Sequence, residues 1–225
     1  MKQKLLNYTP SIAITLIFII WTILVKTTDV SYINGVGYLG FYSMNSKVNN
    51  FVVEFNRSDI FDKLTDVGLY LSFLVVLTFG ALGIYQWVKR KSLKKVDPIL
   101  FVLLATYLIA VAYYLIFEIA KINYSPLSTP EELKASYPSS HILFFLVFIG
   151  SGLIVLFNYI NVSKIVRIVS YGLFGVLSAI YSVGRLFSLN HYFSDVIGAI
   201  LLACSVLAIF IALKKDFVKV KEENK

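Results

Sequence analysis

The chain alternates long apolar segments with short clusters of charged residues. Six segments are long and apolar enough to cross a bilayer, a length of about 18 or more residues: Tyr8 to Val25, Val67 to Val88, Ile99 to Ala120, Ile142 to Ile160, Ile168 to Phe187 and Val196 to Leu213. The strands of a membrane barrel would alternate apolar and polar residues, and these segments do not. The pattern predicts an all-α polytopic membrane protein with six transmembrane helices, formed as a single domain over residues 1–225.

The longest connection between predicted spans covers residues 26–66. It mixes aromatic residues such as Tyr38, Phe41 and Phe51 with polar ones and is not of low complexity. This composition is typical of an amphipathic helix on the membrane surface. We expect an extracytoplasmic amphipathic segment here, placed as a lid beside any site on the same face.

Composition and charge placement support a membrane protein and give it an orientation. Hydrophobic residues make up 58% of the chain and charged residues 15%, against about 25% charged residues in ordinary soluble domains. The mean hydropathy is +0.76. With the predicted spans, 14 of the 21 Lys and Arg residues fall on the side of the termini, which predicts that both termini, including a tail over residues 216–225, are cytoplasmic.

The formal net charge of +8 has a simple explanation in these membrane-flanking clusters. Basic clusters at the ends of spans set the orientation of a membrane protein and contact anionic membrane lipids, so we expect no nucleic-acid partner. The single Cys204 excludes an intramolecular disulfide and a cysteine-based metal cluster. Richness in Lys, Asn and Ile is typical of an AT-rich bacterial genome, and the predicted location is a bacterial cell membrane.

The chain has only two histidines, and both fall on the predicted outer side at similar depth. His141 begins the fourth span, and His191 lies in the turn before the sixth. Asp195 follows His191 by four residues, which on a helical turn places both on one face. We expect the Asp195 carboxylate to fix the tautomer of His191 and leave its second nitrogen as a nucleophile.

Three further residues near these histidines suit an oxyanion. Arg185, six residues before His191, carries a planar fork of donors that matches phosphoryl oxygens. Ser139 and Ser140 precede His141 at a helix start, where free backbone amides bind anions. With His141 as the acid for a departing oxygen, these groups meet the requirements of phosphoryl transfer without a metal or other cofactor.

Two motifs carry a resemblance to a known family. Pro138-Ser139-Ser140-His141 and Arg185-x5-His191-x3-Asp195 resemble the second and third signature motifs of the type-2 phosphatidic acid phosphatase (PAP2) family. The resemblance implies a six-span membrane phosphatase that acts on a lipid phosphate or polyprenyl diphosphate at the outer face. It also implies that His191 becomes a phosphohistidine, that Asp195 orients it, and that His141 protonates the leaving group.

The first motif of that family is incomplete here. The family has Lys, six intervening residues and then Arg-Pro; counted from Lys121, the last two places are Ser128 and Thr129. The resemblance therefore implies Lys121 as a phosphate-binding cation beside Arg185, Ser139 and Ser140, with one cation missing. The loss of one preorganised donor costs on the order of 3 kcal/mol in a transition state, unless Lys134 takes its place.

Two other interpretations stay open on the sequence alone. His141, His191 and Asp195 are a possible three-ligand metal site, although Arg185 and Lys121 beside a metal cation would be unfavourable. A second alternative, motivated by the missing first-motif arginine, is a lipid-phosphate binding or transport protein that kept the fold and lost catalysis. The sequence selects neither the lipid substrate nor the oligomeric state.

Overall fold

In the part of the chain that the structure describes, six helices are long and apolar enough to span a membrane, as the apolar segments predict. The structure is a computed structural model that describes residues 2–33, 35–55 and 59–223. Its long helices are α1 (Lys2–Thr27), α3 (Asp59–Arg90), α4 (Pro98–Ala120), α7 (Lys164–Phe187) and α8 (Phe193–Glu223). The fourth span, Ser140–Tyr159, joins α5 (Ser140–Phe144) to α6 (Gly150–Tyr159) through the π-helical residues Phe145–Ile149.

Helix α8 lies at the centre of the bundle and packs against α1, α4 and α5. Its inward stripe of small and aliphatic residues, Ala199, Leu202, Ala203 and Val206, is fully buried and follows the i, i+3, i+4, i+7 spacing of one helix face. The outer helices α3 and α7 instead expose large apolar side chains. This outward hydrophobicity is what a lipid solvent requires, and the protein is a multi-pass membrane protein.

The connection after α1 contains more than the predicted amphipathic helix. A hairpin of β1 (Ser31–Ile33) and β2 (Gly37–Leu39) comes first, antiparallel with Tyr32 opposite Tyr38. Helix α2 (Tyr42–Glu54) follows, and only this part of residues 26–66 is the expected short helix. Residues 59–66 belong to α3, whose acidic first turn includes Asp59 and Asp62 and is favoured by the helix dipole.

The connection from α3 to α4 is held in place by Asp97. Pro98 begins α4, where its missing N–H is no loss, and Asp97 accepts hydrogen bonds from Arg90 at 2.8 Å and Tyr159 at 2.9 Å. Helix α8 continues to Glu223, so most of the predicted tail over residues 216–225 is helical, while residues 224 and 225 lie outside the described residues.

Candidate active site

His191 lies in the short turn between α7 and α8 and is only 8% exposed. Its Nδ1 is 2.8 Å from the Ser136 carbonyl oxygen. Because a carbonyl only accepts, Nδ1 carries the proton and donates it. The other nitrogen, Nε2, is therefore an unprotonated acceptor, and it faces Nη2 of Arg185 at 3.3 Å. The geometry gives His191 the tautomer that a nucleophilic Nε2 needs.

Arg185, near the end of α7, is 5% exposed and is held from one side. Its Nη1 donates to Asp62 Oδ1 at 3.2 Å and to Thr65 Oγ1 at 3.0 Å, both on α3. Its Nε is buried without a hydrogen-bond partner in the described part of the chain. The clamp on Nη1 thus leaves the Nε and Nη2 edge, next to His191, available to two oxygens of one anion.

His141, in the first turn of α5, meets the same helix one turn further along. Its Nε2 donates to Asp66 Oδ1 at 3.3 Å. Asp62 and Asp66 are four residues apart and share one face of α3. The two carboxylates therefore bring His141 and Arg185 side by side. Although 50 residues separate the histidines in sequence, the fold brings both close enough to Arg185 for the three groups to interact electrostatically.

Asp195 does not orient His191 directly, which corrects the expectation from the sequence. The carboxylate is fully buried, and it accepts hydrogen bonds from Asn123 Nδ2 at 2.8 Å and from the Tyr192 amide at 3.0 Å. The reason is the position of the helix start: α8 begins at Phe193, so His191 precedes the helix and the four-residue spacing does not place the two side chains together. Asp195 is linked to the turn that carries His191 by the hydrogen bond from the Tyr192 amide.

The segment before α5 supplies the carbonyl that holds His191. Tyr137 is buried, its hydroxyl is 2.6 Å from Thr22 Oγ1, and its ring lies against Gly198 of α8, where a Cβ would come within 2.5 Å of the ring. This packing fixes Ser136 and Ser139 on either side. The Ser139 hydroxyl is buried without a partner among the described residues, and its amide donates to the Asp195 carbonyl at 3.3 Å.

Ser140 is half-buried and lines a small cavity beside His191, together with Glu118. The amides of the first turn of this span, after Ser139, have no acceptor within the helix. Of the predicted anion-binding groups at this helix start, Ser140 thus lines the cavity beside His191, whereas the Ser139 amide is already bonded.

Helix α2 packs against the turn that contains His191. Asn45 of α2 is fully buried; its amide donates to Ser194 Oγ at 2.9 Å, and its oxygen accepts from the Ser194 amide at 3.1 Å. Residues of α2 and His191 border one narrow cleft. The outer segment is therefore bonded to the start of α8, next to the candidate nucleophile.

The predicted cation Lys121 lies elsewhere, which is a second correction. It caps α4 in a left-handed conformation, is exposed, and lines a cavity of about 410 Å³ shared with the β-hairpin and Tyr124. Ser128 bonds to the backbone of Lys134 in an exposed turn, and the Lys134 ammonium pairs with Glu132 at 3.1 Å. The cavity beside His191 includes none of these cations.

The electrostatics of His191 suit a nucleophile. Burial, and then the positive charge of Arg185, hold the pKa of His191 well below its ordinary value near 6.5, against the opposing hydrogen bond to the Ser136 carbonyl. Its Nε2 therefore stays unprotonated at neutral pH and into the mildly acidic range.

Several residues of this site lie outside the sequence motifs. Asp62, Thr65 and Asp66 of α3 contact Arg185 or His141, and Asn190 donates to Asp62 at 2.7 Å. The available signal was a pair of carboxylates four residues apart at the start of an apolar run, where ionisable residues are costly and often functional. Among the described residues, no group of three or more His, Cys, Asp or Glu side chains is placed so that it could hold a metal ion.

Comparison with solved structures finds the same fold in a known membrane protein. The chain matches the first transmembrane PAP2-type phosphatidylglycerolphosphate phosphatase from Bacillus subtilis with a TM-score of 0.62 and 17% sequence identity, over 97% of this chain and 98% of that chain. No protein-family model matches the sequence. No curated protein matches it either. The protein has the transmembrane PAP2 fold.

Proposed function

We propose that this protein is a membrane phosphatase that removes phosphate from a lipid at the outer face through a phosphohistidine intermediate. The observation that carries the proposal is the state of His191: Nδ1 donates to the Ser136 carbonyl, and the unprotonated Nε2 faces Arg185. The fold of a known PAP2-type phosphatase supports it. Activity without an added metal or cofactor is part of the proposal.

The first step transfers the phosphoryl group to the enzyme. Two oxygens of the phosphate accept from Nε and Nη2 of Arg185, with the Ser139 hydroxyl as a third donor. Nε2 of His191 attacks phosphorus, and the bond from phosphorus to the leaving oxygen breaks. That oxygen takes a proton from His141, whose Nε2–H bond to Asp66 leaves Nδ1 to exchange the proton.

The second step returns the enzyme to its starting state. His141, now neutral, takes a proton from water, and the water oxygen attacks the phosphohistidine. The bond from phosphorus to Nε2 breaks, inorganic phosphate leaves, and His191 is again neutral. Arg185 serves the equatorial oxygens in both steps, because charge on them develops in each transition state.

The substrate class follows from the setting of the site. His191 and Arg185 lie at one end of the membrane-spanning helices, so a lipid tail stays in the bilayer while its phosphate reaches the histidine. Lipid phosphomonoesters and polyprenyl diphosphates both satisfy this requirement. The topology proposed with it places both termini in the cytoplasm and the site outside.

Turnover and trapping test the enzyme proposal. We expect purified wild type to release phosphate from a lipid phosphate in EDTA, and His191→Ala to release none. With a substrate that has a good leaving group, such as p-nitrophenyl phosphate, His141→Ala should accumulate an acid-labile, alkali-stable phosphoenzyme, since it lacks the base for the second step. Full turnover by His191→Ala would contradict the assignment of the nucleophile.

A cysteine-labelling experiment tests the orientation. In a Cys204→Ser background, a cysteine at Glu132 should react with an impermeant maleimide in intact cells. A cysteine at Lys94 should react only after the membrane is opened. The reverse pattern would place the site on the cytoplasmic side.

One observation favours a second function, lipid-phosphate binding without catalysis. Arg185 is the cation that the described residues bring to the histidines, while Lys121 lines a different cavity. Saturable binding of a lipid phosphate by wild type without phosphate release, over a panel of lipid phosphates, would support that function over the enzyme.

A further inference from the structure

The candidate site contains more negative than positive side chains. Asp62 and Asp66 contact Arg185 and His141 and remain 35% and 48% exposed. Glu118 is exposed and lines the cavity beside His191. One carboxylate thus contacts Arg185, a second contacts His141, and a third lines the cavity that His191 borders.

Arg185 is already partly neutralised before a substrate arrives. Its Nη1 pairs with Asp62, so only its Nε and Nη2 edge serves a ligand. This edge has two donors, enough for two oxygens of one phosphoryl group. A second phosphoryl group would lie beyond these two donors, and the charged side chains in contact with Arg185 and His141 are the partly exposed carboxylates of Asp62 and Asp66.

We infer that Asp62, Asp66 and Glu118 make this site selective by charge, so that it accepts a terminal phosphomonoester and discriminates against a diphosphate on the same lipid. The inference rests on the proposed function. A phosphomonoester carries about −1.5 to −2 at neutral pH, and a diphosphate adds roughly one more negative charge next to the three carboxylates. Repulsion therefore increases with each charge that the second phosphoryl group adds.

The size of the effect follows from separation and screening. For charges several ångströms apart at a partly exposed site, an effective dielectric constant of about 20 or more gives roughly a tenfold change in relative kcat/KM for each carboxylate. Screening limits it further, since the Debye length falls from about 10 Å at 0.1 M salt to about 3 Å at 1 M salt. Discrimination by charge must weaken with salt, whereas discrimination by size does not.

The test compares farnesyl monophosphate with farnesyl diphosphate, which share one tail. We expect wild type, in neutral detergent with EDTA, to favour the monophosphate in initial-rate kcat/KM by roughly tenfold or more at low salt, and by several-fold less at high salt. Glu118→Gln, Asp66→Asn and Asp62→Asn should each lower the ratio of kcat/KM for the monophosphate to kcat/KM for the diphosphate. The control is Glu132→Gln, which removes an outer carboxylate paired with Lys134 at 3.1 Å and should leave the ratio unchanged.

The ratio of the two kcat/KM values distinguishes selection by charge from a general loss of activity in the variants. Loss of Asp62 or Asp66 also disturbs Arg185 or His141, but both substrates use these groups, so a positioning defect alone lowers both rates and leaves the ratio unmoved. A wild-type preference for the diphosphate, or a ratio insensitive to salt and to all three variants, would overturn the inference.

Binding to a variant without the nucleophile distinguishes this inference from the proposed function. His191→Ala should bind the monophosphate more tightly than the diphosphate, with the same weakening by salt. If wild type binds selectively but releases no phosphate, the phosphatase proposal fails and charge selection stands. If wild type hydrolyses both lipids and binding is equal for the two, the phosphatase stands and charge selection fails.

Discussion

The replacement of Asp195 by Asn tests whether this carboxylate orients the nucleophile directly or through the backbone. In wild type its two oxygens accept from Asn123 Nδ2 at 2.8 Å, from the Tyr192 amide at 3.0 Å and more weakly from Ser194 Oγ at 3.4 Å. An amide at this position has one acceptor oxygen and one NH2 donor. With its NH2 group at the Oδ2 position, the new amide faces the Tyr192 amide, which is a buried donor. With its NH2 group at the Oδ1 position, it requires Asn123 to turn and present its oxygen.

The magnitude follows from those contacts. A hydrogen bond to a charged group contributes about 1.5 to 3 kcal/mol, and an unsatisfied buried donor costs about 1 to 3 kcal/mol. We therefore expect Asp195→Asn to lower the free energy of unfolding by about 3 kcal/mol, a fall of about 6 to 12 °C in Tm for a chain of this size. Asn123→Ala, which removes only one neutral donor, is the milder comparison.

The measurement joins stability to the state of His191. Thermal unfolding in detergent gives the Tm, and phosphate release gives kcat. Because the Ser136 carbonyl fixes Nδ1–H, NMR of labelled histidine should find the same tautomer in Asp195→Asn, with kcat lowered by movement of the turn. An unchanged Tm together with a switch to the Nε2–H tautomer would refute this reasoning and restore direct orientation by Asp195.

Two further predictions concern the neighbours of this turn. Gly198→Ala should lower Tm by several degrees and reduce kcat, because the new Cβ would lie 2.5 Å from the Tyr137 ring and overpacking costs about 1 to 3 kcal/mol. The matched control is Gly80→Ala, which has open space at its Cβ. Equal effects of the two variants on Tm and kcat would contradict the packing argument. His141→Gln leaves His191 as the sole histidine, so an NMR titration of this variant reports on His191 alone. The midpoint should lie below 6.5, because burial and Arg185 lower the pKa of His191. A midpoint at or above 6.5 would count against a neutral nucleophile.

The six spans were predictable from hydropathy because backbone groups in lipid must be satisfied within each helix. The convergence of His141, His191 and Arg185 was also predictable in outline, since each lies at the same end of a predicted span. Hydropathy does not locate the first turns of a helix that extends out of the apolar region. Asp62 and Asp66 were therefore assigned to a loop, although α3 begins at Asp59.

The error at Asp195 has a similar origin. The four-residue spacing implies a shared face only where both residues are helical, and the sequence does not show that α8 starts between them. The β-hairpin was missed for another reason: its strands have three residues each, too few for an alternating pattern to be recognised. At Asp195 the spacing was read correctly, but the boundary of the helix decided the contact.

The extension of α3 changes the electrostatics of the site as well as its list of residues. The motifs alone describe a cationic pocket, with Arg185 and Lys121 around the phosphate. In the fold Lys121 lines another cavity, and Asp62 takes one side of Arg185. A helix that carries no motif residue therefore holds one side of the guanidinium and lowers the positive charge that an anion would meet there. Because binding of an anion depends on the local sum of charges, the proposed selection between lipid phosphates depends on α3 as much as on the histidines.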